Sequence, residues 1–184
     1  MNCLPGCGYL DVYCSDTEAR GVESQADMAL TEADIRVLLD ALGYCLGPSH
    51  PVEPGEWAMR VAELQQCLIA ERFDEGAERA ANLLEQDPLS RPCLLAMAHC
   101  LHGLGEFQQA LGFYMAAQLL DPADAACVCH IGECLAGLGY PVDAQEAFET
   151  AIEISWADPS QDETRAWAQR RLQQWDDKSG QGGS

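Results

Sequence analysis

The segment Cys127 to Cys134, CVCHIGEC, places three cysteines and a histidine within eight residues, the residue types of a zinc knuckle or a redox centre. A structural zinc site needs four ligands converging tetrahedrally. On a helix Cys127 and Cys134 share one face while Cys129 and His130 point elsewhere, and no second Cys-x-x-Cys pair accompanies them. No metal site is expected on these grounds. His99 and His102 lie one turn apart and could share a face with Glu133 or Cys129, which superficially resembles a cysteine–histidine catalytic pair. No nucleophile elbow, phosphate-binding glycine loop or paired-carboxylate motif accompanies them, so no catalytic residue, no enzyme activity and no cofactor are expected.

The elements that carry these residues explain the cysteines. Aligned with itself at an offset of 34, the chain pairs Pro88 with Pro122, Phe73 with Phe107, Gly105 with Gly139, Ala110 with Ala144, Tyr114 with Phe148 and Ala117 with Ala151. That is the period of a tetratricopeptide repeat. Cys93 and Cys127 are also 34 apart, as are Cys100 and Cys134. A position that takes cysteine in successive repeats behaves as a core position, a role that suits a free thiol.

Each unit has the periodicity of a helix pair. Leu94, Met97, Ala98 and Leu101 form one face of a first helix, Gly103 to Gly105 make a turn, and Phe107, Ala110, Leu111, Tyr114 and Ala117 form the inner face of a second. Asp121-Pro122 then ends the unit, because proline cannot continue a helix. Val128, Ile131, Gly132 and Leu135, a turn at Gly137 to Gly139, and Ala144, Phe148 and Ala151 repeat the pattern, with Trp156 in place of the closing proline.

The fold class expected is all-α: three tetratricopeptide repeats over about 56–88, 90–122 and 124–156, with an N-terminal helix and a C-terminal capping helix. The N-terminal helix, about 31–46, is signalled by Thr31-Glu32-Ala33-Asp34 followed by Ile35, Leu38, Leu39, Leu42 and Cys45 at helical spacing. GPSHPVEPGE is a linker. The capping helix, about 161–176, buries Ala166, Trp167, Arg170, Leu172 and Trp175. Residues 28–177 make one repeat domain, residues 1–27 a disordered extension, and residues 178–184 a disordered tail.

Composition narrows the partners. Thirty acidic residues against ten basic ones give a net charge of −20, which would repel nucleic acid phosphates. No run of about 18 apolar residues is present, so no membrane insertion is expected. MNCLPGCGYLDVYC lacks the basic and apolar regions of a secretory signal. Ten cysteines are then reduced thiols in a cytoplasmic protein, not a disulfide framework.

Stacked repeats curl so that the first helix of each unit lines a concave groove. By helical phase the groove residues are Val61, Gln65 and Leu68 in the first unit, Leu95, His99 and His102 in the second, and Cys129, Glu133 and Ala136 in the third. Their mixture of apolar and hydrogen-bonding groups suits an extended peptide with alternating apolar anchors.

Three repeats flanked by an N-terminal and a capping helix, with GEFQQALGFYMAAQLLDPADA in the second repeat and GECLAGLGYPVDAQEAFETAIEISWADPS in the third, resemble the class II chaperones of type III secretion, the SycD/LcrH type. The resemblance covers about Thr31 to Trp175. It implies a bacterial cytoplasmic protein that holds an extended segment of a secreted translocator or membrane-active effector in its groove, keeping it export-competent without ATP. It also implies a homodimer through the N-terminal helix, here through Ile35, Leu38, Leu39 and Leu42. Val61 and Leu68 stand where aromatic groove residues would be expected. The alternative is a generic repeat adaptor for another protein partner, which a groove rich in lysine and arginine would favour.

Overall fold

The computed structural model describes residues 54–180, and the side chains of residues 55–174. The N-terminal extension, the helix expected over 31–46 with Ile35, Leu38, Leu39 and Leu42, and the Trp175 side chain lie outside the described residues. Within them the chain is all-α. Three helix pairs follow one another: α1 (Pro54–Ile69) with α2 (Phe73–Leu84), α3 (Arg91–Gly103) with α4 (Phe107–Leu120), and α5 (Ala125–Gly137) with α6 (Pro141–Ser155). A single 3₁₀ turn, Pro159–Gln161, leads into the last helix, α7 (Asp162–Gly180). Lys178 to Gly180 are therefore helical where the sequence suggested a tail.

The 34-residue offset has a local cause at the turn inside each pair. In the second, Glu106 N–H donates to Leu101 O at 2.9 Å and Gly105 N–H to His102 O at 3.0 Å, a Schellman closure that satisfies the last carbonyls of α3. The third repeats it with Tyr140 to Leu135 at 2.9 Å and Gly139 to Ala136 at 3.1 Å, and the first with Arg72 to Cys67 at 2.9 Å and Glu71 to Leu68 at 3.1 Å. This closure needs a left-handed residue: Gly105 and Gly139 have φ of 81° and 83°, and Glu71 holds the same position at φ 54°. The first unit thus makes the shared turn with a residue that disfavours it.

Packing between units follows the same spacing. A Cβ on Gly103 would lie 2.5 Å from the Phe73 ring, and one on Gly137 would lie 2.7 Å from the Phe107 ring. Each aromatic residue that opens a second helix therefore seats on the glycine ending the next unit's first helix. Gly76 likewise faces Cys100, whose Sγ would be 2.6 Å from an added Cβ. All six cysteines among the described residues are buried free thiols.

Two clusters form the core. One joins the first two units through Leu64, Leu83, Leu94, Phe113 and Tyr114. The other joins the third unit to α7 through Val128, Cys129, Phe148 and Ala168. Each large buried side chain contributes roughly 2–3 kcal/mol by leaving water.

Polar contacts fix the stack at its joints. Asp124 caps α5, accepting from Ala126 N at 2.9 Å and Cys127 N at 3.1 Å, and the same carboxylate pairs with Arg91 of the preceding unit. Gln161 ties the final turn to the start of α5, accepting from Ala125 N at 2.8 Å and donating to Ala123 O at 3.0 Å. Arg165 lies 4.0 Å over the Trp156 ring and donates to Ser155 O, so the tryptophan that replaces the closing proline anchors α7. Among the described residues no helix is long and apolar enough to cross a membrane.

Candidate functional site

The first helices of the three pairs, α1, α3 and α5, are the ones that repeat geometry assigns to the inner side of a stack, and α5 meets α7 at its end. There α3 contributes His99 and His102, α5 contributes His130 and Glu133, α7 contributes Trp167 and Arg171, and Tyr114 of α4 closes the floor. These positions arise from helical phase: His99 and His102, like His130 and Glu133, are three residues apart and share a face.

The side chains form a continuous aromatic and polar cluster. His130 stacks on Tyr114 with ring centres 5.1 Å apart and planes 8° apart. It meets His99 edge-on at 4.6 Å and Trp167 at 5.0 Å. His102 packs edge-on against Phe107 at 5.3 Å. His99 Nδ1 is 2.9 Å from Leu95 O; a carbonyl only accepts, so Nδ1 carries the proton and Nε2 the lone pair. Neither His130 Nδ1 nor the buried Tyr114 hydroxyl has a hydrogen-bond partner among the described residues.

Burial sets the charges. It holds the pKa of His99, His102 and His130 below the ordinary imidazole value, with neighbouring histidines adding to the effect at His130 and Arg171 at His102. All three imidazoles are therefore neutral near pH 7. Burial also raises the Glu133 carboxyl, against the opposing pull of Arg171. Arg171 Nε lies 2.7 Å from Glu133 Oε1. The contact lacks hydrogen-bond geometry, so it is ionic rather than directional.

Beside this cluster opens a pocket of about 380 Å³ lined by His102, Phe107, Glu133, Ala136, Gly137, Arg171 and Gln174. A second pocket, of about 350 Å³, lies between α1 and α2 among Arg60, Glu63 and Arg79. Both of its arginines are already paired, Arg60 with Glu56 and Arg79 with Glu63 and Glu75.

The structure sorts the groove residues expected from sequence. His102, Glu133 and Ala136 meet in the first pocket, and His99 packs against His130 beside it. Val61, Gln65 and Leu68 are half-buried along α1, and Val61 and Leu68 rest against the first core cluster. Two expectations are corrected. Leu95 is 3% exposed and Cys129 is 0% exposed; each is a member of one of the two core clusters, because its side of the helix packs into the stack. His130, which was not among the expected groove residues, sits at the centre of the cluster, and on α7 the residue facing the site is Arg171, not the exposed Arg170. The i, i+3 pair His130 and Glu133 was the sequence signal for this arrangement.

Burial keeps five of the thiols protonated. Burial pushes Cys93 up to about 11 and Cys100, Cys129 and Cys134 up to about 12, and raises Cys127 further. Thiols held protonated in this way are poor nucleophiles and poor metal ligands.

No family model matches the chain, and no curated protein matches it. Solved structures do. PcrH of Pseudomonas aeruginosa, in a complex with the chaperone-binding region of PopB, superposes with a TM-score of 0.63 at 22% identity, covering 66% of this chain and 98% of that one. A type III secretion complex from Aeromonas hydrophila gives 0.67 at 22% identity, covering 77% and 97%. SycD of Yersinia enterocolitica, in complex with a peptide of the translocator YopD, gives 0.65 at 15% identity, covering 71% and 99%. The chain has the fold of the type III secretion translocator chaperones.

Proposed function

We propose that this protein is a cytoplasmic type III secretion chaperone that holds an extended segment of a secreted translocator or membrane-active effector in its concave groove. The observation that carries the reading is the shared fold, which spans nearly the whole length of PcrH and SycD, both solved with translocator segments. The groove supports it. Half-buried Val61 and Leu68 offer apolar contacts at one end, and the pocket at His102, Glu133 and Ala136 offers an anchor site at the other. Covering an apolar segment of a membrane-active protein shifts that protein toward a soluble, export-competent state by mass action.

The mechanism is binding and release. Extended peptides bind such surfaces through alternate side chains seated in pockets, with polar groups fixing the register. No catalytic step is needed, and no groove thiol is ionised to supply one. A net charge of −20 keeps the complex soluble and favours apolar or basic clients over nucleic acid. A homodimer through Ile35, Leu38, Leu39 and Leu42 belongs to this proposal.

The alternative, an adaptor that clamps a terminal carboxylate, has one cation in its favour, Arg171 in the pocket. Glu133 already neutralises that cation at 2.7 Å, and an incoming carboxylate would have to displace it.

Co-expression with a candidate client, the product of a neighbouring gene with long apolar segments, tests the proposal. The client is expected to be soluble and to co-purify with the wild-type chain, and to aggregate with Leu68→Asp or Ala136→Asp variants whose circular dichroism stays helical. A client that remains soluble with both variants would overturn the groove assignment.

A further inference from the structure

Three of the protein's four histidines gather on the concave face, and two of them face a carboxylate. His102, His130 and Glu133 each offer one ligand atom, and those atoms all lie within 4.8 Å of one another. We infer that His102, His130 and Glu133 form a binding site for a borderline divalent transition-metal ion of the Zn²⁺ class.

The donor set selects the ion. Two imidazoles and one carboxylate suit Zn²⁺, Co²⁺ or Ni²⁺, whereas Ca²⁺ and Mg²⁺ prefer all-oxygen shells. Ligands about 2.0–2.2 Å from a tetrahedral ion stand roughly 3.4 Å apart. His102 Nε2 and Glu133 Oε2 are already 3.8 Å apart, so side-chain adjustment of about an ångström closes the set. His130 Nδ1 is buried without a partner among the described residues; with the ring proton on Nε2, its lone pair would find that partner in the metal.

Arg171 is compatible with the site because it uses the other carboxylate oxygen. Its Nε contacts Oε1 of Glu133, while His102 faces Oε2. Glu133 can therefore ligate through one oxygen while Arg171 holds the other, the arrangement by which outer partners orient a metal ligand. The cation's charge lowers the affinity, which places the site among exchangeable rather than permanent ones. The adjoining pocket leaves room for water to complete the coordination. The site stands independently of the chaperone reading.

The test is a Co²⁺ titration of the full-length protein after chelator treatment, followed by visible absorption, with Zn²⁺ added in competition. The expected result is saturation at one ion per chain, a d–d spectrum without sulfur-to-cobalt charge transfer, and loss of the band on adding Zn²⁺. Glu133→Gln and His102→Gln, with helical circular dichroism retained, should weaken binding by about tenfold or more. Zn²⁺ titration of the wild-type chain under side-chain nitrogen NMR avoids dependence on the variants: the His102 and His130 rings should shift together. The inference is overturned if Co²⁺ does not saturate, if charge transfer shows cysteine ligation, if both variants bind unchanged, or if His102 and His130 do not respond to Zn²⁺.

Discussion

At the scale of single residues, His130 organises the concave face. It stands between Tyr114, His99 and Trp167, with His102, Glu133 and then Arg171 beyond it. Its place was hidden in the sequence because helical phase resolves a face only to within one position. Phase put Cys129 and Leu95 on the groove, yet these are core, and His130, next to Cys129, faces the cluster. The thiols, by contrast, were legible: recurrence of cysteine at 93 and 127, and at 100 and 134, marks packing whatever the residue's chemistry. The buried imidazoles make stability depend on pH. Folding lowers the pKa of His99, His102 and His130, while the unfolded chain titrates them near the usual value of about 6.5. As pH falls below about 6.5 the unfolded state takes up protons that the folded state refuses, so stability falls, by up to about 1.4 kcal/mol per pH unit for each histidine. The raised Glu133 carboxyl acts with the opposite sign at lower pH. The urea midpoint should therefore be lower at pH 5.5 than at 7.5, and His130→Gln should reduce the difference; equal midpoints in the wild-type chain would contradict the burial of neutral imidazoles.

At the scale of elements, the helix pairs were legible because their punctuation repeats. Gly105 and Gly139 share one turn conformation, and Phe73 and Phe107 share one packing partner, the glycine at 103 or 137. The first unit is harder to see because Glu71 stands where the others have glycine. Gly105 has open space around it, so Gly105→Ala should cost about 1 kcal/mol through backbone strain alone. Glu71→Gly should raise the melting temperature by relieving the same strain; a lower one would show that the Glu71 side chain contributes more than its backbone costs. The joint between the second and third units depends on Asp124, which no offset reveals, because it caps its own helix and binds Arg91 of the previous unit. Asp124→Ala removes the cap and leaves a largely buried guanidinium short of its closest partner, with an expected loss of about 3 kcal/mol in chemical denaturation.

At the scale of the molecule, three helix pairs and α7 make a stack whose first helices carry apolar contacts at one end, at Val61 and Leu68, and a polar, aromatic pocket at the other. The stack was legible from the 34-residue offset, and its resemblance to translocator chaperones from the wording of the second and third repeats. What α7 adds was not. Its Arg171 lines the pocket and its Trp167 packs against His130, across a sequence distance that no repeat relates. The central claim is that the concave side holds an extended client segment. Calorimetric titration of such a segment, taken from the candidate translocator, into the full-length protein tests it most directly. The account predicts saturable binding at one segment per chain, weakened by about tenfold or more, some 1.4 kcal/mol, in both Leu68→Asp and Ala136→Asp while helix content is unchanged. Binding of equal strength to the wild-type chain and to both variants would contradict it.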